Sequence, residues 1–192
     1  MIKLRKGGHR ELERYHSLLD LDFDKREILP KAAMHKAMLK GDMELLIAYD
    51  EESRMDLGHA LVFSRGLYGY VLLKYMAVLP WYRGQGLGVE LMRLINRRYA
   101  ESQGVIAEIT VFDDDGAYTK KLRKFFARFG YVRAEADYIL SGQPVELMVK
   151  PIKGTEEISP VAHRIINDFY SRVLSPHKMS SMITIRPLGS LS

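Results

Sequence analysis

The 192-residue chain contains no cysteine. That one absence removes disulfides, thiolate metal sites and a cysteine nucleophile together. No window approaches the ~20 consecutive apolar residues of a membrane span. The opening stretch, MIKLRKGGHRELER, has no apolar core of the kind a secretory signal needs, so a cytoplasmic location is expected. None of the six histidines falls in an HExxH pattern or joins a ligand cluster, so no metal is expected. The net charge of +5 comes from basic residues spread along the chain, with no compact run interleaved with aromatics. Nucleic acid and membrane are therefore not expected partners. What is present is ordinary for a globular protein: 47% hydrophobic and 28% charged residues, enough chain for one domain with a full core.

The most informative stretch is 70–98, YVLLKYMAVLPWYRGQGLGVELMRLINRR. Tyr70 to Leu79 is dense in Val, Leu, Tyr and Met and bounded by Gly69 and Pro80, as a buried strand is. A turn follows with glycines at 84, 86 and 88. From Val89 to Tyr99 the period changes to helical, with Leu91, Leu94, Ile95 and Tyr99 on one face. Strand, glycine loop and helix in succession suit phosphate, because the first helical N–H groups lack partners and the dipole attracts anions. A P-loop is excluded, since no Lys-Ser or Lys-Thr pair follows the glycines. A dinucleotide fingerprint is excluded too, since Val89 stands where its third glycine belongs.

The run Arg83-Gly84-Gln85-Gly86-Leu87-Gly88 matches [RQ]-x-x-G-x-[GA], five residues after Val78. It resembles the acetyl-CoA motif of the GNAT superfamily of N-acetyltransferases. The later FFARFGY, 125–131, resembles the signature that closes the fourth helix of that family. The resemblance implies an α/β GNAT fold, a mostly antiparallel mixed sheet flanked by helices. It implies that amides of Arg83, Gly84, Gln85, Gly86, Leu87 and Gly88 hold the pyrophosphate of acetyl-CoA. It also implies that the backbone of Met76, Ala77 and Val78 pairs with the pantetheine arm and polarises the thioester.

Around this motif the remaining elements fall in order. Ile2 to Lys6 reads as a strand, Arg10 to Leu19 as a helix, and LDLDFDK after it as acidic and irregular. A second helix begins near Pro30 and stops at Gly41. Met43–Tyr49 and Leu57–Ser64 read as strands, with His59 on an apolar-rich face. Val105 to Phe112 is a second buried strand, followed by an acidic turn, Asp113 to Gly116, that suits a helix N-terminus rather than calcium. A helix from Ala117 and a hairpin, 136–140 and 145–150, complete a domain over residues 1–152. Residues 153–192 form an extension with an amphipathic helix carrying Val161, Ile165, Ile166, Phe169, Tyr170 and Val173, then a strand, 182–187. The extension must dock, either on this chain's own core or on a second copy. A homodimer with the extension in its interface is expected.

Two positions depart from the family pattern. Leu72 stands where many members carry a glutamate, and Phe126 where many carry a proton-donating tyrosine. The fifth-strand run VIAEITVF is similar to that of a bacterial subgroup with glutamates on this strand, which makes Glu108 the expected base, with His59 next in line. Desolvation on an apolar strand would raise its pKa. Its alternative role is a structural ion pair. Tyr75, Tyr118 and Tyr138 are candidates for the acid, and the first two join Glu108 as the expected catalytic set. The expected activity is acetyl transfer from acetyl-CoA to an amine of a small-molecule acceptor. A protein acetyltransferase and a non-catalytic acyl-CoA-binding module remain as rivals.

Overall fold

The computed structural model describes residues 1–111, 116–153 and 158–185. Its elements in chain order are β1 (Ile2–Gly7), α1 (His9–Leu19), α2 (Lys31–Lys40), β2 (Met43–Asp50), β3 (Asp56–Phe63), β4 (Tyr70–Val78), α3 (Leu87–Arg98) and β5 (Gly104–Thr110). They continue as α4 (Ala117–Ala127), β6 (Val132–Leu140), β7 (Gln143–Pro151), α5 (Ser159–Ser171), α6 (Pro176–Met182) and β8 (Ile183–Ile185). The strands form one sheet in the order β1-β2-β3-β4-β5-β7-β6-β8. All neighbours are antiparallel except β4 and β5, which run parallel. This is the mixed, mostly antiparallel α/β sheet expected from the resemblance.

The strand patterns divide the core in two. Leu45, Ile47, Leu61, Phe63 and Leu72 look to one face, where α1, α2 and α5 pack. Leu46, Ala60, Val62, Val71 and Leu73 look to the other, against α3 and α4. The alternation seen in β3 is therefore the two-sided burial of a central strand, with helices covering both faces. On α3 the buried residues are Leu91, Met92 and Ile95; Met92, at helical spacing from Ile95 and Tyr99, takes the place expected for Leu94, which is only partly buried.

The extension packs against its own chain. Ala162, Ile165, Phe169 and Tyr170 of α5 are fully buried in the first core. Each such large apolar side chain contributes roughly 1.5–3 kcal/mol through burial. The approach requires Gly66, where a Cβ would stand 2.3 Å from the Phe169 ring and 2.4 Å from the Tyr70 carbonyl oxygen. Polar ties fix the register: Asp168 accepts from the Leu67 N–H at 2.9 Å and from Arg172, which also reaches Asp42 at 3.1 Å. β8 pairs with β6 through Tyr138↔Ile185 to Leu140↔Ile183. Before it, residues 176–182 form helix α6, with Ser175 capping it from its side chain, so the last strand begins at Ile183 rather than at the expected Met182. The acidic turn expected at Asp113 to Asp115 lies outside the described residues, as do residues 186 and 187 of the expected last strand.

Candidate active site

The parallel strands β4 and β5 are paired only from Tyr70↔Gly104 to Leu73↔Ala107. Beyond that, β4 continues to Val78 against β3, and β5 to Thr110 against β7. The strands part, and a wedge opens between 74–78 and 108–110. The parting begins at a β-bulge: Leu73 faces Val62 and Tyr75 faces Leu61, so Lys74 has no residue opposite it. Met76, Ala77 and Val78 thus lie on a strand edge that β5 does not cover.

The glycine loop stands at the end of that edge. Pro80–Tyr82 make a single tight turn, Gly84 and Gly86 have φ of 80° and 76°, and α3 starts at Leu87 with Gly86 as its cap. A Cβ at either glycine would meet nothing within 4 Å. The positive φ, not crowding by the chain, is what calls for glycine there, and the space beyond it is open. The first amides of α3 and its dipole face that space, an arrangement that fits a pyrophosphate. The Arg83 side chain points away from the loop's tip, donating to the Val78 carbonyl at 3.1 Å and to Asp22 at 2.7 Å. It ties the strand end to the α1–α2 connection.

A cleft of about 520 Å³, counting its open mouth, lies at the base of the wedge. It takes Asp22, Asp24 and Glu27 from the α1–α2 connection, Lys74 and Tyr75 from β4, Glu108 and Thr110 from β5, and Tyr118 from the start of α4. The three expected catalytic residues, Glu108, Tyr118 and Tyr75, are therefore brought together around one space. Their surroundings differ sharply. Glu108 meets the Lys74 ammonium at 2.5 Å, with the two side chains 5% and 3% exposed. Its carboxylate also accepts from the hydroxyls of Tyr138 and Tyr170, the latter at 2.9 Å to both oxygens. This is the ion-paired arrangement, completed by a residue of α5.

The Tyr75 hydroxyl is fully enclosed, donating to the Glu27 carbonyl at 2.8 Å and accepting from the Leu29 N–H at 2.9 Å. Its single proton is engaged with backbone, and burial pushes its pKa well up. Tyr118 stands half-exposed at the mouth, with its pKa raised by partial burial and by Asp22. His59 is 1% exposed, with both ring nitrogens lacking a hydrogen-bond partner and its ring 4.7 Å from that of Tyr15. Burial lowers its pKa to about 4. It lies outside the cleft. Leu72 and Phe126, the two departures from the family pattern, are both core residues.

Two residues of the site escaped the sequence reading. Lys74 was the one charge in an apolar strand, a visible signal whose partner only the register reveals. Glu27 lay beyond a stretch read merely as acidic and irregular, yet it is 6% exposed and its Oε1 has no hydrogen-bond partner. Desolvation raises its pKa, and the Thr110 hydroxyl and Lys74 oppose the rise.

Residues 41–133 match the family model of the acetyltransferase (GNAT) domain, a span that holds the wedge, the glycine loop and α4. Solved structures share the fold over most of their length. A Bacteroides thetaiotaomicron protein assigned to the GNAT family superposes with a TM-score of 0.69 at 16% identity, covering 88% of this chain and 98% of its own. A Desulfovibrio desulfuricans protein assigned to the same family gives 0.61 at 16% identity, over 79% and 99%. The dodecameric spermidine N-acetyltransferase of Vibrio cholerae gives 0.58 at 12% identity, over 78% and 93%. No curated protein matches the sequence. The matched segment is similar to the GNAT acetyltransferase domain, an enzyme domain of the acyltransferase kind, and the fold is the one those structures share. Enzymes of this family use acetyl-CoA. Among the described residues no helix is long and apolar enough to cross a membrane, and no group of side chains is arranged to hold a metal.

Proposed function

We propose that this protein is an acetyl-CoA-dependent N-acetyltransferase that acetylates a primary amine of a small molecule, by direct attack with both substrates bound. The observation that carries this reading is the wedge itself. An uncovered strand edge, Met76 to Val78, leads from the glycine loop to a cleft lined by carboxylates. Acetyl-CoA supplies an activated acetyl group; the chain supplies placement. Amides of Arg83 to Gly88 are assigned to the pyrophosphate, and Met76, Ala77 and Val78 to the arm and the thioester carbonyl. One backbone donor at a developing oxyanion contributes on the order of 10²–10³ in rate. Tyr118, at the mouth and held protonated, is assigned to give the departing thiolate its proton. Glu108 and Tyr75 are assigned to shape the site, the first by fixing Lys74 and the second by fixing the 27–29 backbone.

The acids favour a cationic acceptor. Among the described residues that line the cleft, Lys74 is the one base beside Asp22, Asp24, Glu27 and Glu108. The cleft is closed on one side by the α1–α2 connection, which suits a small amine better than a protein chain. The protein is assigned to the cytoplasm and to a homodimer. The extension completes the core of its own subunit, and its outward surface is assigned to the interface. The test is thiol release from acetyl-CoA with a panel of primary amines, alongside acetyl-CoA binding by calorimetry. Binding without release for any amine would leave a non-catalytic module instead.

A further inference from the structure

We propose that Glu27 receives the acceptor amine, with Oε1 first binding its ammonium and then taking its proton. This rests on the transferase reading above and assigns a base that the resemblance did not supply.

Geometry sets Glu27 apart from the other acids of the cleft. Asp22 is held by Arg83, Asp24 by Arg26 at 2.6 and 2.9 Å, and Glu108 by Lys74. Glu27 alone among these four has a buried carboxylate oxygen with no hydrogen-bond partner. A buried carboxylate oxygen without a donor is destabilising, and proteins rarely keep one without a ligand, a water or a task to account for it. A ligand N–H supplies the missing donor. The fold also goes to some length to place this residue. Tyr75, from the bulged part of β4, holds the Glu27 carbonyl and the Leu29 N–H with one hydroxyl. The wedge therefore positions, through Tyr75, the backbone that presents Glu27.

The groups facing Glu27 set its protonation. Asp24 from its own connection and Glu108 from β5 raise its pKa, and Lys74 from β4 and Thr110 from β5 lower it, with desolvation the largest influence and upward. Tyr75 and Tyr118 line the same cleft. A carboxylate lifted in this way can hold a proton taken from an ammonium more readily than a surface carboxylate.

The step balances as follows. The ammonium gives one proton to Glu27, leaving the neutral amine with its electron pair. That pair forms the C–N bond to the acetyl carbon, the C–S bond breaks, and sulfur leaves with its pair as thiolate. The nitrogen loses a second proton, the thiolate gains one by way of Tyr118, and Glu27 returns its own to solvent. The products are the N-acetylated amine, free CoA thiol and one proton in solution.

The experiment compares wild type, Glu27→Gln and Asp24→Asn in thiol release with primary amines led by 1,4-diaminobutane, across pH 5 to 9. Glu27→Gln is expected to lower kcat/KM by at least about 100-fold, the lower end for general-base help. It should leave acetyl-CoA affinity and melting temperature in place, and lose the acidic limb of the profile. Asp24→Asn should retain that limb. A Glu27→Gln enzyme with wild-type kcat/KM, or with an unchanged acidic limb, overturns the proposal while the transferase reading stands. Wild-type protein that binds acetyl-CoA but turns over no amine overturns both.

Discussion

Lys74 Nζ and Glu108 Oε2 meet at 2.5 Å at the point where β4 and β5 part, both side chains almost wholly buried. The pair closes the inner end of the wedge. Tyr138 and Tyr170 use their hydroxyls on the same carboxylate, so four elements converge on one ion pair.

Removing one member of such a pair strands the other in a poorly solvated place. Glu108→Gln is therefore expected to lower stability by about 3–5 kcal/mol, the range for a broken buried pair. The double variant Lys74→Met with Glu108→Gln should recover much of that loss. Urea denaturation checks both. A single variant as stable as wild type would show that the pair carries no structural burden, and would return Glu108 to candidacy as the base.

The glycine loop makes a sharper separation between fold and ligand. At Gly88 φ is unexceptional and an added Cβ would meet only Val78 Cγ2, at 3.8 Å. Gly88→Asp should thus fold normally and lose acetyl-CoA, because its charge would oppose the pyrophosphate. Gly86→Asp should lose acetyl-CoA as well, with about 1–2 kcal/mol of additional strain from the positive φ. Calorimetry finding wild-type affinity in both variants would end the assignment of this loop.

His59 gives the protein an acid sensitivity. Its folded pKa, about 4, lies below the ordinary 6.5, so the folded state holds the neutral ring where the unfolded chain takes a proton. Its contribution to stability is complete above pH 6.5 and is lost as pH falls towards 4, on the order of 3 kcal/mol in total. His59→Phe should flatten that slope in urea midpoints measured between pH 7 and pH 4. Parallel curves for the two proteins would show that the ring gains a partner on acidification.

Truncation after Lys153 removes Ile165, Phe169 and Tyr170 from the core and uncovers the edge of β6. The shortened chain is expected to be unfolded or aggregated. Tyr170→Phe, which keeps the packing and deletes one hydroxyl, should cost about 1–3 kcal/mol. Light scattering on the full chain should give a dimer. A truncated protein that stays folded and dimeric would show that the extension is dispensable to both core and assembly.

The strand–loop–helix unit was legible in the sequence because its signals are local: an apolar run, glycines, then a change of period. The stripe on α5 was legible for the same reason. Its destination was not, since an apolar face says only that something covers it. Nor does the stripe show that the Tyr170 hydroxyl reaches Glu108, 62 residues earlier. Glu108 stood out as a carboxylate in an apolar strand, but its pairing with Lys74 needs the β4–β5 register. Glu27 was the hardest to see. The α1–α2 connection has no period from which burial can be inferred, and its acids look alike until the fold pairs Asp22 with Arg83 and Asp24 with Arg26 and buries Glu27.

The bulge at Lys74 has a genetic corollary. Up to Leu73, even-numbered residues of β4 serve the core under α1, α2 and α5; after the bulge the odd-numbered Tyr75 serves it. The strand changes phase midway, and the wedge depends on that change. Most point substitutions along β4 leave the phase untouched. A single-codon deletion at Lys74 would restore unbroken alternation with Tyr75 still on its present face, and would remove the bulge and the buried partner of Glu108 together. At this place the reading frame of the sheet, more than the identity of any one side chain, separates a member of the fold that has a site from one that has only a core.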